Sequence, residues 1–123
     1  MTMPLLQIGK EGQSPFVTQC HWAKSSWHRL VGLLNHEKLS ADEGMLIEPC
    51  KQVHTWFMPF TIDVVFLSGE NQILGTRTMK PWKLSPLILK AKKVLELPEG
   101  ACEKWELSIG EKLFIIPKEV GDA

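Results

Sequence analysis

Between residues 45 and 116 no apolar run exceeds six residues before a proline, a glycine or a polar turn interrupts it. A helix needs apolar residues at a period of 3.6 over about ten positions, whereas a strand needs only four to eight alternating ones. The punctuation therefore dictates short strands. Residues 45–48 make one, ended by Pro49; residues 53–58 make another and residues 62–67 a third, with Pro59, Phe60 and Thr61 between the last two. Ser68-Gly69-Glu70-Asn71 is a turn leading into a strand over 72–78, the pattern of antiparallel pairing. Residues 79–87 form a loop fenced by Pro81 and Pro86, residues 93–97 a strand closed by Pro98-Glu99-Gly100, and residues 112–116 a last strand after Gly110. Residues 101–107 suit a single helical turn.

Upstream, residues 16–22 are rich in strand formers. Ser25 and Ser26 can cap a helix whose apolar stripe is Trp27, Leu30, Val31 and Leu34, and Ser40-Ala41-Asp42-Glu43 has capping-box spacing within a polar turn region. The fold class that follows is mainly β (α+β): a small, mostly antiparallel β-barrel or curled sheet with one amphipathic helix packed on it. At 123 residues the chain suits one domain, which buries roughly two-thirds of its unfolded surface. The expected division is a flexible N-terminal segment over 1–14, a compact domain over 15–117 and a polar tail over 118–123.

Composition sets the setting. The start lacks the basic stretch and the apolar run of about 7–15 residues that a secretory signal needs, and charged residues break every span of about 20 apolar residues. Cys20, Cys50 and Cys102 are odd in number, widely spaced and without a Cys-x-x-Cys pair, so they read as ordinary thiols in a reducing compartment. The cytoplasm is the expected location. Net charge is zero but unevenly spread: residues 71–95 hold Arg77, Lys80, Lys83, Lys90, Lys92 and Lys93 with no acid.

Asp63 is the one polar residue in the run 62–67, and a carboxylate there must find donors or a partner. An internal brace is expected, with Arg29 or backbone N–H groups as its mate. Cys50 and His54 tempt toward a thiol nucleophile and its base, but four residues of extended strand span about 13 Å at ~3.3 Å each. His54 and Asp63 fall on opposite faces if residues 53–58 and 62–67 pair as a hairpin, although a one-residue slip reverses this. His21, His28, His36 and His54 are scattered without ligand spacing, so no metal is expected, and no glycine pattern marks a phosphate loop. No cofactor is implied.

The basic block is the stronger lead. Arg77, Lys80 and Lys83 surround Trp82 in a proline-fenced loop, with Lys90, Lys92 and Lys93 shortly after. Cations around an aromatic suit a small anionic or planar ligand. Zero net charge weighs against nucleic acid as the partner. Arg29, His54 and Glu96 are candidate polar wall groups of a pocket at Trp82, Glu96 because it is a second carboxylate inside a strand run. Trp22, Trp27, Trp56 and Trp105 read as packing residues.

Several of these segments, taken in order, carry a resemblance. Arg29-Leu30-Val31-Gly32-Leu33-Leu34, Gly44-Met45-Leu46, Pro49-Cys50 and Val53-His54-Thr55-Trp56-Phe57-Met58 are followed by residues 60–67, Lys80-Pro81-Trp82-Lys83-Leu84-Ser85-Pro86 and residues 94–100. Across about residues 16–116 the chain resembles the bacterial and archaeal "domain of unknown function 192" family. The resemblance implies a compact β-rich domain and no particular chemistry. Thr61 stands where relatives often have proline, and Glu99 where they often have alanine. Many relatives carry a signal or lipoprotein segment, and none is recognised here. The leading expectation is a non-enzymatic binding or accessory module without catalytic residues. One competing expectation is a metal-independent enzyme using Asp63, His54 or Glu96 as acid and base, which requires those side chains to converge. Another is a weak nucleic-acid or anionic-ligand binder working through the basic block 77–93, whose binding would weaken steeply with salt.

Overall fold

The computed structural model describes residues 5–23 and 39–118. Strands β1 (Leu5–Lys10), β2 (Val17–Ala23), β3 (Glu43–Ile47), β4 (Ile62–Leu67), β5 (Ile73–Met79), β6 (Lys93–Pro98) and β7 (Leu113–Pro117) form one sheet, and α1 (Ala101–Lys104) follows β6. The strand order is β5-β4-β6-β3-β2-β1-β7. All neighbours are antiparallel except β2 and β3, which run parallel from Gln19 opposite Glu43 to Ala23 opposite Ile47. A parallel pair needs a crossover of a dozen or more residues, and residues 24–42 are the connection. The amphipathic helix expected over 27–34 lies outside the described residues.

The sheet curls until its two edge strands nearly meet. Gln72 and Lys112 form an isolated antiparallel bridge. Ile73 N–H donates to the Glu111 carbonyl at 2.8 Å, Gly110 N–H to Ile73 at 2.8 Å and Leu113 N–H to Asn71 at 3.0 Å. Beyond that short seam β5 and β7 do not pair. The expected mainly β class therefore takes the form of a curled, unclosed mixed sheet with a short helix.

Two cores result. Ile8, Val17, Cys20, Leu46, Val65, Leu67, Ile73, Leu95, Leu97 and Leu113, drawn from all seven strands, fill the inside of the curl, and Ala101 and Leu107 close one end. Met45, Ile47, Ile62, Val64, Phe66, Met79 and Val94 form a second core on the outer face, covered by Val53, Met58, Ala91 and other residues of the connecting segments. Every residue of β4 is buried, so its sequence is apolar at every position but Asp63 rather than alternating.

Two expectations are corrected. The segment 1–14, expected to be flexible, supplies β1, which lies between β2 and β7 with Ile8 fully buried. Gly9 made it look like linker, yet a Cβ there would lie 2.7 Å from the Phe114 ring and 2.9 Å from Pro15. Residues 53–58, expected to pair with 62–67, are not a strand: β4 pairs with β5 and β6, and His54 makes only an isolated bridge to Leu84. Phe57, with φ 66°, turns the chain out of extended conformation.

Gly44 sits where β3 meets β6. A Cβ there would lie 3.1 Å from the Glu96 carbonyl oxygen, 3.2 Å from Leu97 and 3.4 Å from Val17. Because the nearest atom is backbone, Gly44→Ala should destabilise the protein by about 1–3 kcal/mol, the range for overpacking. Urea midpoints check this; an unchanged midpoint contradicts it.

Candidate functional site

Asp63 lies on the inner face of β4, opposite Thr78 of β5 and Leu97 of β6, and is 1% exposed. One carboxylate oxygen accepts the Thr78 hydroxyl at 2.8 Å, and the other accepts the Cys102 N–H at 3.0 Å. It thereby ties β4 to β5 and to the first turn of α1, whose leading N–H groups lack partners within the helix. Arg29, the other mate considered, lies outside the described residues. Asp63→Ala removes two hydrogen bonds to a carboxylate, each worth about 1.5–3 kcal/mol, and should cost about 3 kcal/mol or more. Asp63→Asn keeps both contacts, since its carbonyl can accept from Cys102 and its amide can donate to the rotatable Thr78 hydroxyl. Thermal or urea unfolding of the pair should show Asn close to the parent and Ala far below it.

The neighbouring thiol shares this environment. Burial, then the Asp63 charge, then a hydrogen bond to Asp63 push Cys102 up to about 12. Burial likewise lifts Cys20 to about 12. Both start from 9.0, so on raising the pH the unfolded chain loses these protons first. Their contribution to stability is complete below pH 9 and drains away between pH 9 and about 12. A Cys20→Ala/Cys102→Ala variant should show a shallower alkaline loss of urea midpoint than the parent; parallel curves contradict the assignment.

Glu96 is 0% exposed on the outer face of β6, paired across to Val64 and Met45. Alternation along β4 and β6 thus puts Asp63 and Glu96 on opposite faces of the sheet. His54 lies in a surface segment, its ring stacked 4.6 Å from Trp56 and its Nδ1 accepting the Trp56 N–H at 3.3 Å. The three residues considered as acid and base occupy separate environments. The Cys50 thiol turns to the Gln52 carbonyl at 3.2 Å. Among the described residues no group of three or more His, Cys, Asp or Glu is placed to hold a metal.

The residues around Trp82 do come together. Residues 50–58 run alongside residues 82–92, laced by main-chain bonds from Cys50 to Lys92, Ile88 to Lys51, Ser85 to Val53 and Trp82 to Thr55, all between 2.9 and 3.0 Å. Thr55, fully buried, is the hub. Its hydroxyl donates to the Lys80 carbonyl at 2.6 Å and accepts the Lys83 N–H at 2.8 Å, while its own N–H reaches the Lys83 carbonyl at 2.8 Å. Ser85, also buried, accepts the Val53 N–H at 3.0 Å. This clamp holds Trp82 and Phe57 at φ 65° and 66°, a left-handed backbone that bulky side chains rarely adopt. The two rings pack 4.7 Å apart yet stay 60% and 63% exposed. Trp56, expected to be a packing residue, is 44% exposed beside them because Thr55, not Trp56, faces inward.

Next to this aromatic pair lies an open groove of about 380 Å³ between Arg77, Thr78, Met79 and Lys80 on one side and Lys83, Leu84, Ser85 and Pro86 on the other. Arg77, Lys80 and Lys83 line it with no acid among the lining residues. The basic block is divided by the fold. Lys93 is engaged elsewhere, by Asn71 and by Glu48 at 4.0 Å, and Lys90 and Lys92 do not line the groove. Glu96, being fully buried, does not reach it. Thr55 and Ser85 were invisible in the sequence, where small hydroxyl residues in loops carry no distinguishing pattern.

The fold is a small curled-sheet domain whose surface carries a groove lined by Arg77, Lys80 and Lys83, with Trp82 lying between the last two in the chain. A model of the domain of unknown function 192 family, described as "Uncharacterized ACR", matches residues 7–115, and the chain belongs to that family. It is 33% identical over 61 residues to UPF0127 proteins of Pyrococcus abyssi and Pyrococcus furiosus, covering 50% of this chain and 52% and 53% of theirs. The chain thus spans about half the length of the curated relatives it matches. A solved structure of a protein of unknown function from Novosphingobium aromaticivorans shares the fold, with a TM-score of 0.72 at 16% identity over 89% of this chain and 83% of that one. No helix among the described residues is long and apolar enough to cross a membrane.

Proposed function

We propose that the protein is a non-enzymatic binding module whose site is the groove between β5 and residues 83–86, with Trp82 and Phe57 as its lip. The observation that carries this is the pair of exposed aromatics held in strained backbone. Each left-handed bulky residue costs on the order of 1–3 kcal/mol and persists only where its surroundings impose it, a pattern that clusters at binding sites. Thr55 and its hydrogen bonds to residues 80–83 impose it here. Arg77, Lys80 and Lys83 have no carboxylate partner among the described residues, so their charge faces outward and favours an anionic ligand. Three thiols that form no disulfide fit the cytoplasm as the setting.

Amide chemical-shift mapping with two probes, benzoate and a nucleoside monophosphate, tests the site. Shifts should concentrate at residues 77–86 and the Trp82 indole, and weaken as salt rises because the groove is open to solvent. Trp82→Ala should lower affinity, and Thr55→Val should do the same in a protein that still folds. Shifts centred elsewhere, or affinities unchanged in Trp82→Ala, would overturn the assignment. A short single-stranded oligonucleotide serves as the third probe; affinity falling steeply with salt would favour a nucleic-acid role instead.

A further inference from the structure

We infer that the partner is an extended, acidic peptide that adds to β5 as a further strand of the sheet, an inference that rests on the groove proposed above. β5 stands at the end of the strand order, and its seam with β7 stops at Ile73. From Gly75 to Met79 its outer edge takes no main-chain partner among the described residues. Such an edge is a ready template, and peptide recognition by strand addition uses it. Five residues of edge measure roughly 17 Å, room for a peptide of comparable length.

The surroundings form a trough along that edge. The 380 Å³ groove continues into a second cavity of about 270 Å³ that shares Arg77 and Pro86 with it. The second part has an apolar lining of Phe66, Leu74, Ile88 and Ile109. A strand laid there would send alternate side chains toward this lining, the spacing by which strand-addition sites choose their partners. Arg77, Lys80 and Lys83 supply the charge preference, since neither cavity has an acid in its lining. The same cations argue against a second copy of this chain as the occupant. Two β5 edges paired together would crowd six of them along one seam.

Panning the whole protein against a displayed library of random twelve-residue peptides tests this, with an unrelated protein as control. Enriched peptides should be acidic and free of proline in their central residues. A synthetic version of the best one should protect the amides of residues 75–79 from hydrogen exchange. N-methylation at alternate residues should abolish its binding, and Arg77→Glu/Lys83→Glu, whose positions are exposed and leave the core intact, should weaken it by about tenfold or more. Absence of enrichment over the control, or enrichment without acidic bias, would overturn the inference. A peptide that perturbs Trp82 and Phe57 while leaving 75–79 unprotected would overturn strand addition but keep the binding site. Dimerisation of the protein alone, with the amides of residues 75–79 protected from exchange in the dimer, would assign the edge to a second copy and overturn it as well.

Discussion

Strand β4 is apolar on both faces, and most of the remaining architecture answers the need to cover it. Inside, the curl of the seven-stranded sheet brings β1, β2 and β7 over residues such as Val65 and Leu67. Outside, the segments 50–60 and 80–92 lie across Ile62, Val64 and Phe66. A strand buried twice leaves no solvent for its polar exceptions. Asp63 is tolerated because both of its oxygens accept a hydrogen bond. The same two bonds fix β5 and α1 relative to β4, so one carboxylate sets the relation of three elements.

The outer cover is where structure turns toward function. Loops that only shielded β4 could have settled into relaxed backbone with their aromatics tucked inward. Instead a small hydroxyl residue, Thr55, occupies the interior, and Trp56, Phe57 and Trp82 stand outward. The clamp is built from main-chain and hydroxyl bonds, which are short and directional, so the lip has little freedom to relax. Charge follows the same division: Lys93 is engaged within the fold, and the cations at 77, 80 and 83 line an open groove that has no acid in its lining.

Much of this was legible in the residues and some was not. β4 and the hairpin to β5 could be read because a run apolar except for Asp63 is followed by Ser68-Gly69-Glu70-Asn71, a local turn signal. β6 and α1 were marked by Pro98 and Gly100 in the same way. Asp63 announced itself as a lone acid among apolar neighbours, but its mates Thr78 and Cys102 are 15 and 39 residues away, and nothing local points to them. Residues 53–58 misled because alternation alone cannot distinguish a ladder from an extended segment bonded to another loop. β1 was hidden by Gly9 and Lys10, whose roles depend on Phe114 and on Glu106 and Glu111 nearly a hundred residues later. The Trp82 loop was found through its cations and prolines, whereas Thr55, which shapes it, had no signature.

The pairing of β1 with β7 brings the two ends of the described chain together, with Lys118 N–H donating to the Leu5 carbonyl at 3.0 Å. Tension applied between those ends would act on the ladder from one extremity. Its rungs, lying across the strands, would open in succession rather than resist in concert. A domain fused at either side would therefore tug on a zipper, and the protein would yield mechanically at β7 while β4, held on both flanks and both faces, stayed in place.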